Sequence, residues 1–336
     1  MDLLARLRTL GPGGANLRAL GGDRAGQVRL GRWLSNPRVT PAERVASARR
    51  DVLGRVAGRQ VRAIQDTTGL RDDGDKCGLY LHPTIVLDAA DGALLGLLAA
   101  DFLVHDGRPQ SHCNKRRLGE KESRRWIASL QQAGELLAAG VIGIADRAAD
   151  LYETFVGRPA QVAVLVRVHH NRCLTQGRLY ECQARLSAWG CGCVEVPPRP
   201  GQRARQAQVA VWAGTVCVKR PKRHRVRWAA ELPPSIALTP VEAREIAPPA
   251  GAMPLHWRLL TTLPVTSRAE AWRIIDLSRQ RWASEQVFRG MKPRGFAIAA
   301  VPVREPQPLQ NLAGATLIAA IAVQQMLHDR DGPAGP

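Results

Sequence analysis

Apolar positions in the chain change rhythm several times. Residues 1 to 58 carry them at helical spacing, interrupted by the Pro-bounded "SNPRVTPAER" and resumed in "AERVASARRDVLGRVAG". The period then drops to two: "QVRAIQDTT" alternates and runs into an acid and two threonines, a strand with Asp66 at its C-terminal end. "LYLHPTIVLDAADGALLGLLAADFLVH" adds two apolar runs around a "DAADG" turn, so three consecutive strands are expected to form an antiparallel meander. "WIASLQQAGELLAAG" predicts a helix ended by Gly140, "VIGIAD" a short buried strand ending in Asp146, and "RAADLYETF" a further helix. Many short strands with Pro/Gly turns follow from about Gln161 to Leu263, the last being "WRLLTTLPV". The late run "LAGATLIAAIAV", Leu312 to Val323, is too short to span a membrane and reads as a buried core helix.

The stretch "SRQRWASEQVFRGMK", Ser278 to Lys292, reads as one amphipathic helix with an unusual inward face. At about 100° per residue, Ser278, Arg281, Glu285 and Lys292 share an arc of roughly 60°. That side also carries Ile274, Leu277, Trp282 and Phe288, and the opposite arc of Arg279, Gln280, Ala283, Gln286 and Gly290 reads as solvated. An Arg281/Glu285 pair on an exposed face would be worth a few tenths of a kcal/mol. Held among large apolar residues it is costly unless its geometry is used.

Composition adds charge to this picture. Forty-eight Lys and Arg face twenty-nine acids, a formal charge of +19 that attracts a polyanion, nucleic acid before an anionic membrane. The 336 residues, 45% of them hydrophobic, suffice for two domains or one large one with an insertion. The N-terminus lacks the features of a signal peptide, so a cytoplasmic, nucleoid-associated protein without membrane contact is expected. Seven cysteines without a C-x-x-C pair argue against a disulfide framework and fit no zinc finger, although Cys182, Cys191 and Cys193 follow His169 and His170. P-loop, G-x-S-x-G and H-E-x-x-H motifs are missing, which removes support for ATP, serine-hydrolase and zincin chemistry.

Three acids stand out: Asp66 and Asp146 at the ends of strands, and Glu285 on the inward face of the late helix. In a mixed sheet a first and a fourth strand can lie side by side, which would bring Asp66 and Asp146 together. Clustered carboxylates repel unless cations neutralise them. Hard oxygen ligands suit Mg²⁺, and two such ions can stabilise the attacking and leaving oxygens of a phosphoryl displacement. Taken alone, each Asp is more often a turn acid or a helix N-cap, and their joint placement on a basic chain favours the metal reading.

Four ordered motifs resemble the cut-and-paste DDE transposases of bacterial insertion sequences, the IS-four family and its Tn-five type. "AIQDTT" resembles the first-Asp motif, "KESRRW" the linker, "IADRAADLYE" the second-Asp motif, and "SRQRWASEQVFRGMK" the Y-x2-R-x3-E-x6-K signature. The likeness runs from about Asn36 to Gln325. It implies a ribonuclease-H-like α/β fold, a mixed sheet flanked by helices, with a β-rich insertion between the fourth and fifth core strands. It divides the chain into a shortened DNA-recognition region (1–58), a core in two parts (59–160 and 254–328), the insertion (161–253) and a tail (329–336). Asp66, Asp146 and Glu285 would bind two Mg²⁺ ions, for which Mn²⁺ substitutes. Arg281, Lys292 and Arg167 would contact DNA, Trp257 would pocket a flipped base, and Trp282 would stack beside it. Unstacking a base costs a few kcal/mol, of which an aromatic platform returns roughly 1 to 3.

Ser278 stands where the signature has tyrosine, so one phosphate contact is expected to weaken. The N-terminal segment reads as a recognition domain with its middle missing, and only 44 residues follow Lys292. The homodimer of a synaptic complex, which the family forms on DNA, is therefore in question. The expected function is transposition of an insertion sequence by phosphodiester hydrolysis and strand transfer. The rivals are a non-catalytic DNA-binding remnant that inhibits the full enzyme, and a structure-selective nuclease of the same fold. The basic run "VKRPKRHRVR" reads as DNA grip or as a solvated face.

Overall fold

The structure, a computed structural model, describes residues 3–10, 15–72, 78–105, 124–198, 203–221, 232–303 and 305–331. The linker 113–123 with the first half of "KESRRW", residues 222–227 of the basic run, Cys77 and residues 332–336 of the tail lie outside the described residues. The described helices are α1 (Leu3–Leu10), α2 (Leu17–Gly21), α3 (Arg24–Leu34), α4 (Pro41–Val56), α5 (Arg124–Gly134), α6 (Tyr152–Val156), α7 (Arg268–Arg279), α8 (Trp282–Met291) and α9 (Pro306–Asp331). The strands are β1 (Gln60–Gln65), β2 (Thr68–Asp72), β3 (Gly78–Asp88), β4 (Leu94–His105), β5 (Gly140–Ala145), β6 (Val162–Arg167), β7 (Ser187–Val196), β8 (Arg205–Ala213), β9 (Val216–Lys219), β10 (Ser235–Glu245) and β11 (His256–Thr261). The fold is mixed α/β. None of the described helices is long and apolar enough to cross a membrane.

Two compact units share the chain. The first comprises Met1–Cys113, Ala128–Gly143 and Arg281–Pro336, the second Asn114–Ile127 and Ile144–Gln280. Residues 1–58 thus belong to the unit that holds β1 to β4, α8 and α9.

In the first unit, capping fixes the N-terminal helices. Asn16, Asp23 and Thr40 each accept a backbone N–H of the helix that follows, and Pro41 at the first turn of α4 is pre-set for helical φ. The expected meander is present with one strand more. β3 is the long central member, paired with β4 on one side and with β1 and then β2 on the other, all antiparallel. Strand order is β2-β3-β1-β5, so β1 and β5 are neighbours. Gly96 in β4, at φ 144°, lets α4 approach closely, since a Cβ there would meet Val52 Cγ2 at 2.8 Å. The helix α5 ends at Gly134 instead of Gly140, and in the connection that follows Leu137 is 80% exposed. Gly134 supplies an earlier helix stop.

The run Leu312 to Val323 forms the middle of α9, with Leu312, Ala313, Ala315, Leu317, Ala319, Ala320 and Ile321 buried. This helix packs against α1, α3, α4, α8 and β4. Asn311 is fully buried and its amide nitrogen donates to the carbonyls of Leu34 and Val39, each at 2.8 Å. These bonds satisfy the end of α3 and the break before α4. Asn311→Ala removes both bonds, the buried one to Leu34 and the part-buried one to Val39, and is expected to cost about 2 kcal/mol, read as a lower melting temperature.

In the second unit the strand order is β6-β11-β10-β8-β7, antiparallel where paired in register, with β9 on β10. Helix α7 lies on this sheet. Asp150 holds the loop after β6 in place: it accepts from the backbone N–H of His169 and His170 and from Arg172 Nε, all within 2.9 Å. Both Asp150 and Arg172 are buried. Glu245, also buried, accepts a two-point bond from Arg205 and the Leu255 N–H, and the Arg205 hydrogen bond holds its carboxyl below the usual carboxylate range. A depressed folded-state pKa contributes stability above the ordinary carboxylate value of about 4.3, lost as pH falls through the folded value. Glu245→Gln should lower the melting temperature at pH 7, with a gap from wild type that narrows below about pH 4.

Candidate active site

Strand β1 buries Val61, Ala63, Ile64 and Gln65 in the first unit and ends there, so Asp66 is the first side chain beyond a fixed strand. The helix that meets it is not the single one expected. The regular helix is interrupted at Gln280 and Arg281: α7 stops, the Gln280 backbone N–H donates to the carbonyls of Asp276 and Ser278, and α8 begins at Trp282. Ser278 therefore sits on α7 in the second unit, on a different helix from Glu285. Arg281 occupies the N-cap position of α8 with helical φ and ψ, and Lys292 follows the last turn in extended conformation, exposed.

Arg281 forks between two carboxylates. Its Nη1 donates to Asp66 Oδ2 at 2.7 Å, across 215 residues of sequence, and its Nη2 donates to Glu285 Oε1 at 2.6 Å. Side-chain exposure is 18% for Arg281, 13% for Asp66 and 32% for Glu285, so water screens the group only in part. Asp66 has further supports. Its Oδ1 accepts the Thr67 N–H at 2.8 Å, and Ser284 Oγ lies 3.0 Å from Oδ2 and 2.8 Å from the Arg281 carbonyl, its one proton shared between them. Thr67 Oγ1 in turn contacts the buried His82 Nδ1 at 2.9 Å.

Ser284, Thr67 and His82 were not singled out from sequence. Ser284 lies three positions after Arg281, about 60° from it on a helical wheel, so a wheel centred on Arg281 would have found it. His82 stands in a continuous apolar run with no local sign of a polar partner.

The other expected site residues divide between the units. Trp282, expected among the inward apolar residues, is 43% exposed, with the Arg289 guanidinium 4.6 Å from its ring. Ile274, Leu277 and Phe288 are buried as expected. Of the arc expected to be solvated, Gly290 instead faces α9, where a Cβ would meet Ala320 at 3.2 Å. In the second unit, Asp146 follows β5 at the N-cap position of a single 3-10 turn, Arg147–Ala149, but makes no capping bond. Arg167 Nη1 lies 3.9 Å from Asp146 Oδ1, both about one-third exposed, a spacing worth little by itself. Arg167 pairs with Leu259 across β6 and β11, and Leu259 shares its face of β11 with Trp257. Asp146, Arg167 and Trp257 are thus near one another, with Trp257 half-buried.

On the other face of β11, His256 Nε2 is 2.7 Å from the buried Glu242, with Arg244 at 3.1 Å, and Arg258 stacks 4.3 Å over Tyr180. Arg244 and Arg258, whose Nε is 3.7 Å from the same oxygen, bring positive charge to this buried acid. The five described cysteines are unbridged, and burial pushes the Cys182 thiol up.

Among the described residues, no group of three His, Cys, Asp or Glu is close enough to hold a metal ion. Mg²⁺ commonly takes one or two carboxylates and fills its remaining positions with water and substrate phosphates. Asp66 and Glu285, hard oxygen donors already spanned by one cation, fit that requirement in donor type and charge.

No family model matches the chain. Among solved structures, it is similar to the NurA nuclease from Sulfolobus solfataricus at 9% identity, over 88% of this chain and 94% of that one, with a TM-score of 0.32. A likeness at that level carries no information about the reaction.

Proposed function

We propose that this protein is a Mg²⁺-dependent DNA transposase of the DDE type, with a ribonuclease-H-like core carrying a β-rich insertion over residues 161–253. The observation that carries the reading is the fork from Arg281 to Asp66 and Glu285. Two acids far apart in sequence, both drawn from transposase-like motifs, meet at the arginine of the same signature.

Asp66 and Glu285 would hold the metal; Asp146 is the acid of the second motif. Bound there, Mg²⁺ supplies Lewis-acid stabilisation of the attacking and leaving oxygens in phosphodiester hydrolysis and strand transfer. The chain's own residues do the rest. Thr67 and Ser284 fix the rotamer of Asp66, so the carboxylate is oriented before substrate arrives. Arg281, Lys292 and Arg167 bind backbone phosphates, Ser278 adds a short hydroxyl contact, and Trp257 and Trp282 offer stacking faces to unpaired bases. The charge of +19 draws DNA to the protein. Binding should weaken steeply with salt, and Lys292→Ala should flatten the slope of log K against log[salt] by about one.

The substrate distinguishes a transposase from an unspecific nuclease. Purified protein with Mg²⁺ is expected to cut linear DNA carrying the flanks of its own gene at defined ends and leave hairpins there. Scattered nicks on any DNA would contradict the transposase reading.

A further inference from the structure

In a half-buried cluster one guanidinium spans two carboxylates. The guanidinium nitrogens sit on Asp66 Oδ2 and Glu285 Oε1, one oxygen of each carboxylate. A divalent ion held by these carboxylates would compete with the guanidinium for the same oxygens. That places it against the fixed positive charge of Arg281, which has no neutral form to retreat to. The pair therefore holds either cation comfortably, and both poorly.

We propose that Arg281 is a built-in counter-ion: it fills the Asp66/Glu285 pair until a divalent cation displaces it, and the released guanidinium then turns to a DNA phosphate. This rests on the reading of Asp66 and Glu285 as metal ligands. Three features support exchange. First, Asp66 keeps its orientation without Arg281, because the Thr67 N–H and Ser284 Oγ hold it independently. Second, Arg281 stands at the break between α7 and α8, not within a helix. Third, charge favours the exchange: two carboxylates with a divalent ion are neutral, and the arginine leaves with a charge that a phosphate can take up. The carboxylates thus never face each other unneutralised, and the arginine is free for DNA only when the metal is in place. Metal loading and phosphate binding become one coupled event.

The test is a Mn²⁺ titration of the full chain followed by EPR of the free ion, with wild type, Arg281→Gln, Arg281→Lys and Asp66→Asn. Removing the competing cation should tighten Mn²⁺ binding about tenfold or more in Arg281→Gln, a typical coupling between two linked sites. Arg281→Lys, whose point charge cannot span both carboxylates, should fall between it and wild type. It carries the test if circular dichroism shows that the glutamine variant is unfolded. In metal-free buffer Arg281→Gln should melt below wild type, and Mn²⁺ should close the gap. If neither arginine variant binds Mn²⁺ more tightly than wild type while Asp66→Asn loses the site, the counter-ion proposal fails and the metal reading stands. Unchanged binding in Asp66→Asn would overturn both.

Discussion

Asp66→Asn is expected to reduce Mg²⁺-dependent DNA cleavage by about 10³-fold or more, the scale on which loss of an essential catalytic group is felt. The substitution keeps the shape and the Thr67 N–H contact, and it removes the charge that Arg281 balances in the resting protein. Folding should suffer little, because Glu285 still holds Arg281 at 2.6 Å and β1 is anchored by Val61, Ala63 and Ile64. DNA binding, which depends on the basic surface, should persist. Single-turnover cleavage and a gel-shift titration on the same preparation separate the two effects. Loss of binding alongside cleavage would mean that Asp66 has a structural role.

The second large effect concerns stability in the other unit. Asp150 is buried with no exposed side-chain surface, and it neutralises Arg172, which is 6% exposed. Its oxygens also satisfy the N–H groups of His169 and His170. Asp150→Ala leaves a buried guanidinium without a counter-charge and two backbone donors unpaired, a loss of about 3–5 kcal/mol. Limited proteolysis should then cut within Ile144–Gln280 while the first unit stays intact. Replacing both partners, Asp150→Ala with Arg172→Met, should recover part of the loss, because the stranded charge is gone. Equal protease resistance of Asp150→Ala and wild type would show that water reaches Arg172 and solvates it.

Much of the first unit could be read along the chain because its cues are local. Thr40, Pro41 and Glu43 announce α4, period-two alternation announces β1, and the apolar run of α9 is buried. What escaped depends on contacts between distant segments. Nothing in "SRQRW" contains glycine or proline, and Arg, Gln and Trp all tolerate a helix, so a helical wheel runs straight through the break at Gln280 and Arg281. The interruption put Ser278 on another helix than Glu285. It kept Arg281 and Glu285 together because both lie within one turn at the start of α8. The strand β2 was hidden by its glycine and its brevity, with pairing supplied by β3. Likewise, the polar neighbours of Asp66 came into view only when β1, β3 and α8 were brought together. His82 looks like one more residue of an apolar strand until Thr67 is placed beside it.

The central claim is that Asp66 and Glu285 are metal ligands for DNA cleavage, with Arg281 at the same signature. Plasmid cleavage by the purified full chain, in Mg²⁺, in Mn²⁺ and in EDTA, with Glu285→Ala beside wild type, tests it most directly. The account predicts cleavage by wild type in either metal, none in EDTA, none by Glu285→Ala, and DNA binding retained by both proteins. Cleavage by Glu285→Ala at the wild-type rate would contradict it, as would a wild-type protein that binds DNA and cuts none in either metal.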